Sequence, residues 1–156
     1  MFFRAKDFNQ DISSWKMAQA VDISQMFFLA TSFMGVGIGR WDVSNVELLD
    51  YTFAGATMFH GDIQTWDISR VSSCDSAFQE AISFNSDISK WRPNSVKSMD
   101  SMFQGATSFS QDLCGWGENI RNSNSTTWTK IFHNSGCPRQ DDPVKEGKLA
   151  TFCFPC

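Results

Sequence analysis

Phe8-Asn9-Gln10-Asp11-Ile12-Ser13-Ser14-Trp15 decides the fold, because the chain keeps rewriting it. Its Trp returns at Trp41, Trp66, Trp91 and Trp116, in steps of 26, 25, 25 and 25 residues. The Phe seven or eight positions upstream moves with it, through Phe33, Phe59, Phe84 and Phe109. So does the aliphatic three positions before each Trp: Ile12, Ile38, Ile63, Ile88 and Leu113. An Ala precedes each Phe by three, and a further Phe recurs at Phe2, Phe27, Phe53, Phe78, Phe103 and Phe132. Apolar positions held in one register through five copies define a repeat array.

A unit of 25 residues cannot bury its own apolar face, so neighbouring units must stack and share a core. The Phe-Asn-x-Asp-Ile-Ser segment alternates apolar and polar residues, which predicts a short strand. Stacked copies would then form a parallel sheet with strands ~4.8 Å apart. The Val-x-x-Met/Leu-x-x-Met-Phe-x-x-Ala segment has mixed three and four spacing, which predicts a helical or 3-10 turn opposite. Trp-Asp-Val-Ser makes the corner between them. The fold class expected is an α/β repeat solenoid with one short strand and one helical turn per coil.

Five and a half repeats are expected over residues 1–138, bounded at 1–25, 26–51, 52–76, 77–101, 102–130 and 131–138. Residues 139–156, which have no repeat register, are expected to cap the array. The second copy carries an extra residue among the glycines of Met34–Gly39, where a local bulge is expected. Met1–Asp7 has charges and no apolar run, so it is not a signal peptide, and Met1 falls on the repeat's own Met position. These features predict a piece cut from within a longer array.

Composition narrows the function classes. The 156 residues carry a formal charge of −4, which disfavours a nucleic-acid binder. Phe (15) and Trp (6) far outnumber Tyr (1), as expected of a copied core. No apolar run reaches the ~20 residues of a membrane span.

The strings Met1-Phe2, Phe8-Asn9-Gln10-Asp11-Ile12-Ser13-Ser14-Trp15, Trp41-Asp42-Val43-Ser44-Asn45-Val46 and Met102-Phe103-Gln104-Gly105-Ala106-Thr107-Ser108-Phe109 resemble the BspA-like surface-protein repeat, related to Mycoplasma lipoproteins. The resemblance spans residues 1–138, and its Phe-Asn-x-Asp-Ile-Ser-x-Trp form with a Cys-rich end is similar to versions in marine microalgae. It implies a leucine-rich-repeat-like solenoid, secreted or displayed on a surface, serving adhesion or recognition. It brings no catalytic residues.

Cys74 occupies an apolar repeat position and is expected to be a buried free thiol. Cys114, Cys137, Cys153 and Cys156 cluster at the C-terminal end, where two disulfides would staple the cap. A zinc site is the weaker alternative, since Cys153-x-x-Cys156 has no matching second pair. Disulfides point to an oxidising compartment, extracellular or a lumen such as that of the thylakoid. Asn124-Ser125-Thr126 is a glycosylation sequon.

Asn9, Asp11, Asp62, Asn85, Asp87 and Asp112 form a polar ladder, the candidate interaction face. Calcium is the alternative to turn hydrogen bonds for its carboxylates, but Gly37 interrupts the register and no Gly-Gly-x-Gly-x-Asp calcium repeat is present, so turns fit better. The Trp ladder is expected to pack at a corner in preference to stacking on sugars. The partial Thr31, Thr57, Thr107 row is too interrupted to order ice. His60 and His133 share no motif, and no triad, phosphate loop or Rossmann fingerprint is present, so neither an enzyme nor a cofactor is expected. The function expected is protein or glycan interaction or adhesion. The alternative is a structural accessory subunit of a larger assembly, such as an extracellular filament or a lumenal subunit of an algal membrane complex.

Overall fold

The computed structural model describes residues 1–120, 126–143 and 152–155. Its units stack through aromatic columns. Phe2, Phe27, Phe53, Phe78, Phe103 and Phe132 follow one another with ring centroids 5.8, 5.7, 5.5, 5.6 and 5.7 Å apart. Phe8, Phe33, Phe59, Phe84 and Phe109 form a second column at 5.6, 5.9, 5.7 and 5.6 Å. Within a unit the two columns touch face to face: Phe53 lies 4.0 Å from Phe59, and Phe103 4.0 Å from Phe109. Apart from Phe8 on Phe33, tilted at 31°, the rings of each column lie within 18° of parallel and are stacked, an arrangement aromatic pairs favour.

The expected α/β solenoid is not what these stacked units form. Among the described residues regular structure is confined to a 3-10 turn, Ile38–Arg40, and one helix, α1, Cys114–Ile120. Between units there are only isolated parallel bridges, at Asp22↔Leu48, Leu48↔Ser73, Ser73↔Ser98 and Ser98↔Thr127. The Phe-Asn-x-Asp-Ile-Ser segments are irregular and end in turns.

Backbone geometry explains why. Gln25 (φ 56°) and Leu29 (φ 55°) lie in the left-handed region, and the pattern recurs at Tyr51/Gly55, Ser76/Glu80, Ser101/Gly105 and Lys130/Asn134. Each is the third residue of a tight turn, closed by Met26 N–H to Ile23 O (3.2 Å) and Ala30 N–H to Phe27 O (3.0 Å). A positive φ there makes these type II-like turns. The expected helical turn is thus a run of tight turns, since left-handed residues cannot continue a right-handed helix.

The intervening amides reach the next unit. Gln25, Phe27 and Leu29 N–H donate to Asp50, Thr52 and Ala54 O at 2.8, 2.9 and 2.8 Å. Tyr51, Phe53 and Gly55 donate likewise to Asp75, Ala77 and Gln79. Along this face the bonds run one way, amide of one unit to carbonyl of the next. A parallel ladder needs reciprocal exchange. Only the single bridge position supplies it: Leu48 N–H donates back to Val21 O while Ile23 N–H donates to Leu48 O.

The extra residue of the second unit is absorbed by Gly35 (φ 87°), Gly37 (φ 82°) and the 3-10 turn. A Cβ on Gly37 would sit 2.5 Å from Asp11 Oδ1. That close approach, with its positive φ, requires glycine where other units carry Asp.

Candidate functional site

The polar ladder is built of Asx turns. Asp11, Asp62, Asp87 and Asp112 each accept, on Oδ1, the N–H two residues on: Ser13 (2.8 Å), Gln64 (3.2 Å), Ser89 (2.9 Å) and Cys114 (2.9 Å). All four remain exposed. Hydrogen bonds from the Ser13 amide hold the Asp11 carboxyl below its ordinary range, and those from the Ser89 side chain and amide do the same at Asp87. Asp42 follows suit through the Ser44 hydroxyl and amide. Asn9 and Asn85 work differently: each Oδ1 accepts an amide of the next unit, from Met34 at 3.0 Å and Ser110 at 2.9 Å. The ladder is therefore a row of side chains locked by their own backbone, still open to solvent on one side.

A second acidic ladder escaped the sequence reading. Asp50 Oδ1 accepts the Asp75 amide at 2.9 Å and the Ser73 hydroxyl at 2.6 Å. Asp75 repeats this with the Asp100 amide and the Ser98 hydroxyl, and Asp100 with the Thr129 amide and the Thr127 hydroxyl. The joint recurrence of an Asp and of a hydroxyl 23 to 27 positions later was its signal. These carboxylates tie unit to unit and half-bury in doing so.

The Trp column faces inward. Trp41, Trp66, Trp91 and Trp116 are buried, and each indole N–H donates to a carbonyl of the preceding unit: Ile12, Ile38, Ile63 and Ile88, at 3.0 to 3.2 Å. Their faces are occupied by one another at 5.8 to 6.5 Å. Ile12, Phe33, Ile38, Phe59, Ile63, Phe84, Ile88, Phe109 and Leu113 are buried with them, whereas Phe8 and Trp15 of the first unit are only partly so.

Cys137 and Cys153 form a disulfide, and Cys114 is also disulfide-bonded. Cys156 and the sequon residue Asn124 lie outside the described residues. Cys74 is a buried free thiol whose Sγ donates to Ser98 O at 3.6 Å, and burial pushes its pKa well up. A thiol so held is not a nucleophile at neutral pH. The His60 ring bonds Met58 O through Nδ1 at 2.8 Å, and its backbone N–H donates to Met34 O at 3.3 Å. Thr31 and Thr57 donate to Lys6 and Thr31 carbonyls of preceding units. Among the described residues no three His, Cys, Asp or Glu side chains converge as a metal site, and no helix is long and apolar enough to cross a membrane.

One surface feature is apolar. A shallow cleft of about 310 Å³ is lined by Phe3, Arg4, Gln25, Phe28 and Tyr51. Phe3 stacks on Phe28 at 5.0 Å, Tyr51 meets Phe28 edge-on at 6.2 Å, and the Arg4 guanidinium lies over the Phe3 ring.

No curated protein and no solved structure matches the chain. The family described as "Mycoplasma protein of unknown function, DUF285" matches it over residues 1–36 and 34–142, the span that carries the aromatic columns. The chain belongs to that family.

Proposed function

We propose that the protein is a non-catalytic interaction module whose polar ladder is presented to another protein or to a glycan at a cell surface or in a secreted assembly. The observation that carries this reading is the state of Asp11, Asp62, Asp87 and Asp112: exposed, yet fixed in direction by their own turns. Groups held in place before binding lose little freedom when a partner arrives, which favours recognition of a repeating, donor-rich ligand. The Cys137–Cys153 disulfide supports an oxidising compartment. Substituting Asp62→Asn and Asp87→Asn keeps the turn acceptors and removes two charges. Glycan-array and native pull-down binding should fall in that variant while its melting temperature changes little. Undiminished binding would move recognition off the ladder.

The aromatic cleft at Phe3, Phe28 and Tyr51 favours a second reading, docking as an accessory subunit on a larger assembly. Stoichiometric co-purification with a complex, lost in Phe28→Ser, would select it; recovery as a lone species would count against it.

A further inference from the structure

The cap buries the bond that fastens it. Cys153 is fully buried and Cys137 is 3% exposed, in one apolar cluster with Trp116, Trp128, Phe132 and Phe152. Disulfide exchange needs a thiolate to reach one of the two sulfurs, so a bond in that position has no attacker until something moves.

The two cysteines differ in what holds them. Cys137 sits on a fixed wall: the neighbouring Gly136 N–H donates to Ala106 O at 3.2 Å, and a Cβ on Gly136 would lie 2.5 Å from Thr107 O. The chain is there pressed against the unit before it. Cys153 belongs to the covering segment, where Arg139 N–H donates to its carbonyl at 3.2 Å. Its backbone takes φ 67°, a left-handed conformation that persists only where the surroundings fix it. The residue before it supplies that fixing. Phe152 lies 6.3 Å from Trp116, 5.7 Å from Trp128 and 6.3 Å from Phe132, with its plane turned 51°, 73° and 85° to theirs. Cys153 therefore reaches water only when that ring is withdrawn.

We propose that Phe152 guards the Cys137–Cys153 disulfide: the bond is reduced through local withdrawal of this ring and not by direct attack on the closed cap. The step itself is ordinary exchange. The thiolate of a dithiol attacks one sulfur, the S–S bond breaks and the other cysteine departs as a thiolate. The reagent's second thiol then closes the reagent's own disulfide and frees the first cysteine, so one dithiol is oxidised for each protein disulfide reduced. The ends of the aromatic columns thus stay covered among thiols that reduce an open disulfide. Closure of the cap and its resistance to reduction are one property, set by one side chain from outside the repeat.

Treating the oxidised chain with dithiothreitol, then alkylating and mapping Cys137 and Cys153 by mass spectrometry, tests this. Reduction of the native chain should be about a hundredfold slower than in strong urea, and Phe152→Ala should accelerate it about tenfold or more. Trp15→Ala, which weakens the far end of the stack, should leave the rate unchanged. Native reduction as fast as in urea, an unchanged rate in Phe152→Ala, or equal acceleration by Trp15→Ala would overturn the proposal. Should Phe152→Ala lose its near-UV circular dichroism, Phe152→Val keeps an apolar but smaller side chain there, and the same comparison with Trp15→Ala decides.

Discussion

The first and last units share the repeat's register and, within the described residues, differ in what covers them. At the C-terminal end Phe152 turns its ring across the columns, Trp128 donates its indole N–H to Pro143 O at 2.8 Å, and Asp142 accepts the Ile131 amide at 3.1 Å. Phe132 is there completely buried. At the N-terminal end Met1 is 85% and Phe3 48% exposed, and Phe2, Phe8 and Trp15 keep part of their surface in water. A stack is stabilised unit by unit through its neighbours, so a shared register does not give equal stability. The end with a cover should open last.

Substitutions along the Trp column probe that difference most strongly. Trp66 is buried between Trp41 and Trp91 and bonded to Ile38 O, so Trp66→Ala should cost about 3–5 kcal/mol in urea unfolding. Trp15 has one column neighbour, Trp41, and Trp15→Ala should cost only about 1–2 kcal/mol. Equal losses would erase the distinction between interior and open end. The disulfide comes next. Its ends are 16 residues apart, so Cys137→Ser/Cys153→Ser should cost roughly 3 kcal/mol, seen first as lost protection in residues 126–137. Loss spread evenly over the stack would mean that the cap does not act locally.

The smallest effect is set by pH. Hydrogen bonds hold the Asp11, Asp42 and Asp87 carboxyls below the ordinary value near 3.8. A carboxyl whose folded pKa is depressed adds stability that is complete above its unfolded pKa and is lost as pH falls through its folded pKa. The melting temperature should therefore hold steady down to about pH 4 and fall below it. Replacing all three by Asn should flatten that fall, and an unchanged slope would remove these turns from the account.

The columns could be read from the sequence because burial follows residue type and period, and Phe, Ile and Trp at fixed spacing have few alternatives to a shared core. The same letters pointed to Asp11 and its counterparts as turn acceptors, since Asp followed two residues later by Ser or a free amide is a local pattern. The expected strands and helical turns give way to tight turns for an equally local reason. Gln25, Tyr51, Ser76, Ser101 and Lys130 all take a positive φ, a position that ordinarily signals itself by Gly or Asn. Nothing in those side chains announces it; the stacking of whole units imposes it. The Asp50, Asp75, Asp100 ladder was legible only as a coincidence of two periods, Asp and hydroxyl, which touch across units and not within one. The closure by Phe152 came from outside the period altogether.

Residue-resolved hydrogen exchange under native conditions tests most directly whether one-way bonds and aromatic columns hold the units together. The amides of Phe27, Phe53, Phe78 and Phe103 donate to Thr52, Ala77, Met102 and Ile131, and those of Phe2 and Arg4 to Met26 and Phe28. Protection should be highest at Phe78 and Phe103, near the covered end, lower at Phe27, and lowest at Phe2 and Arg4. Equal protection from Phe2 to Phe103, or greater protection at the open end, would contradict the account.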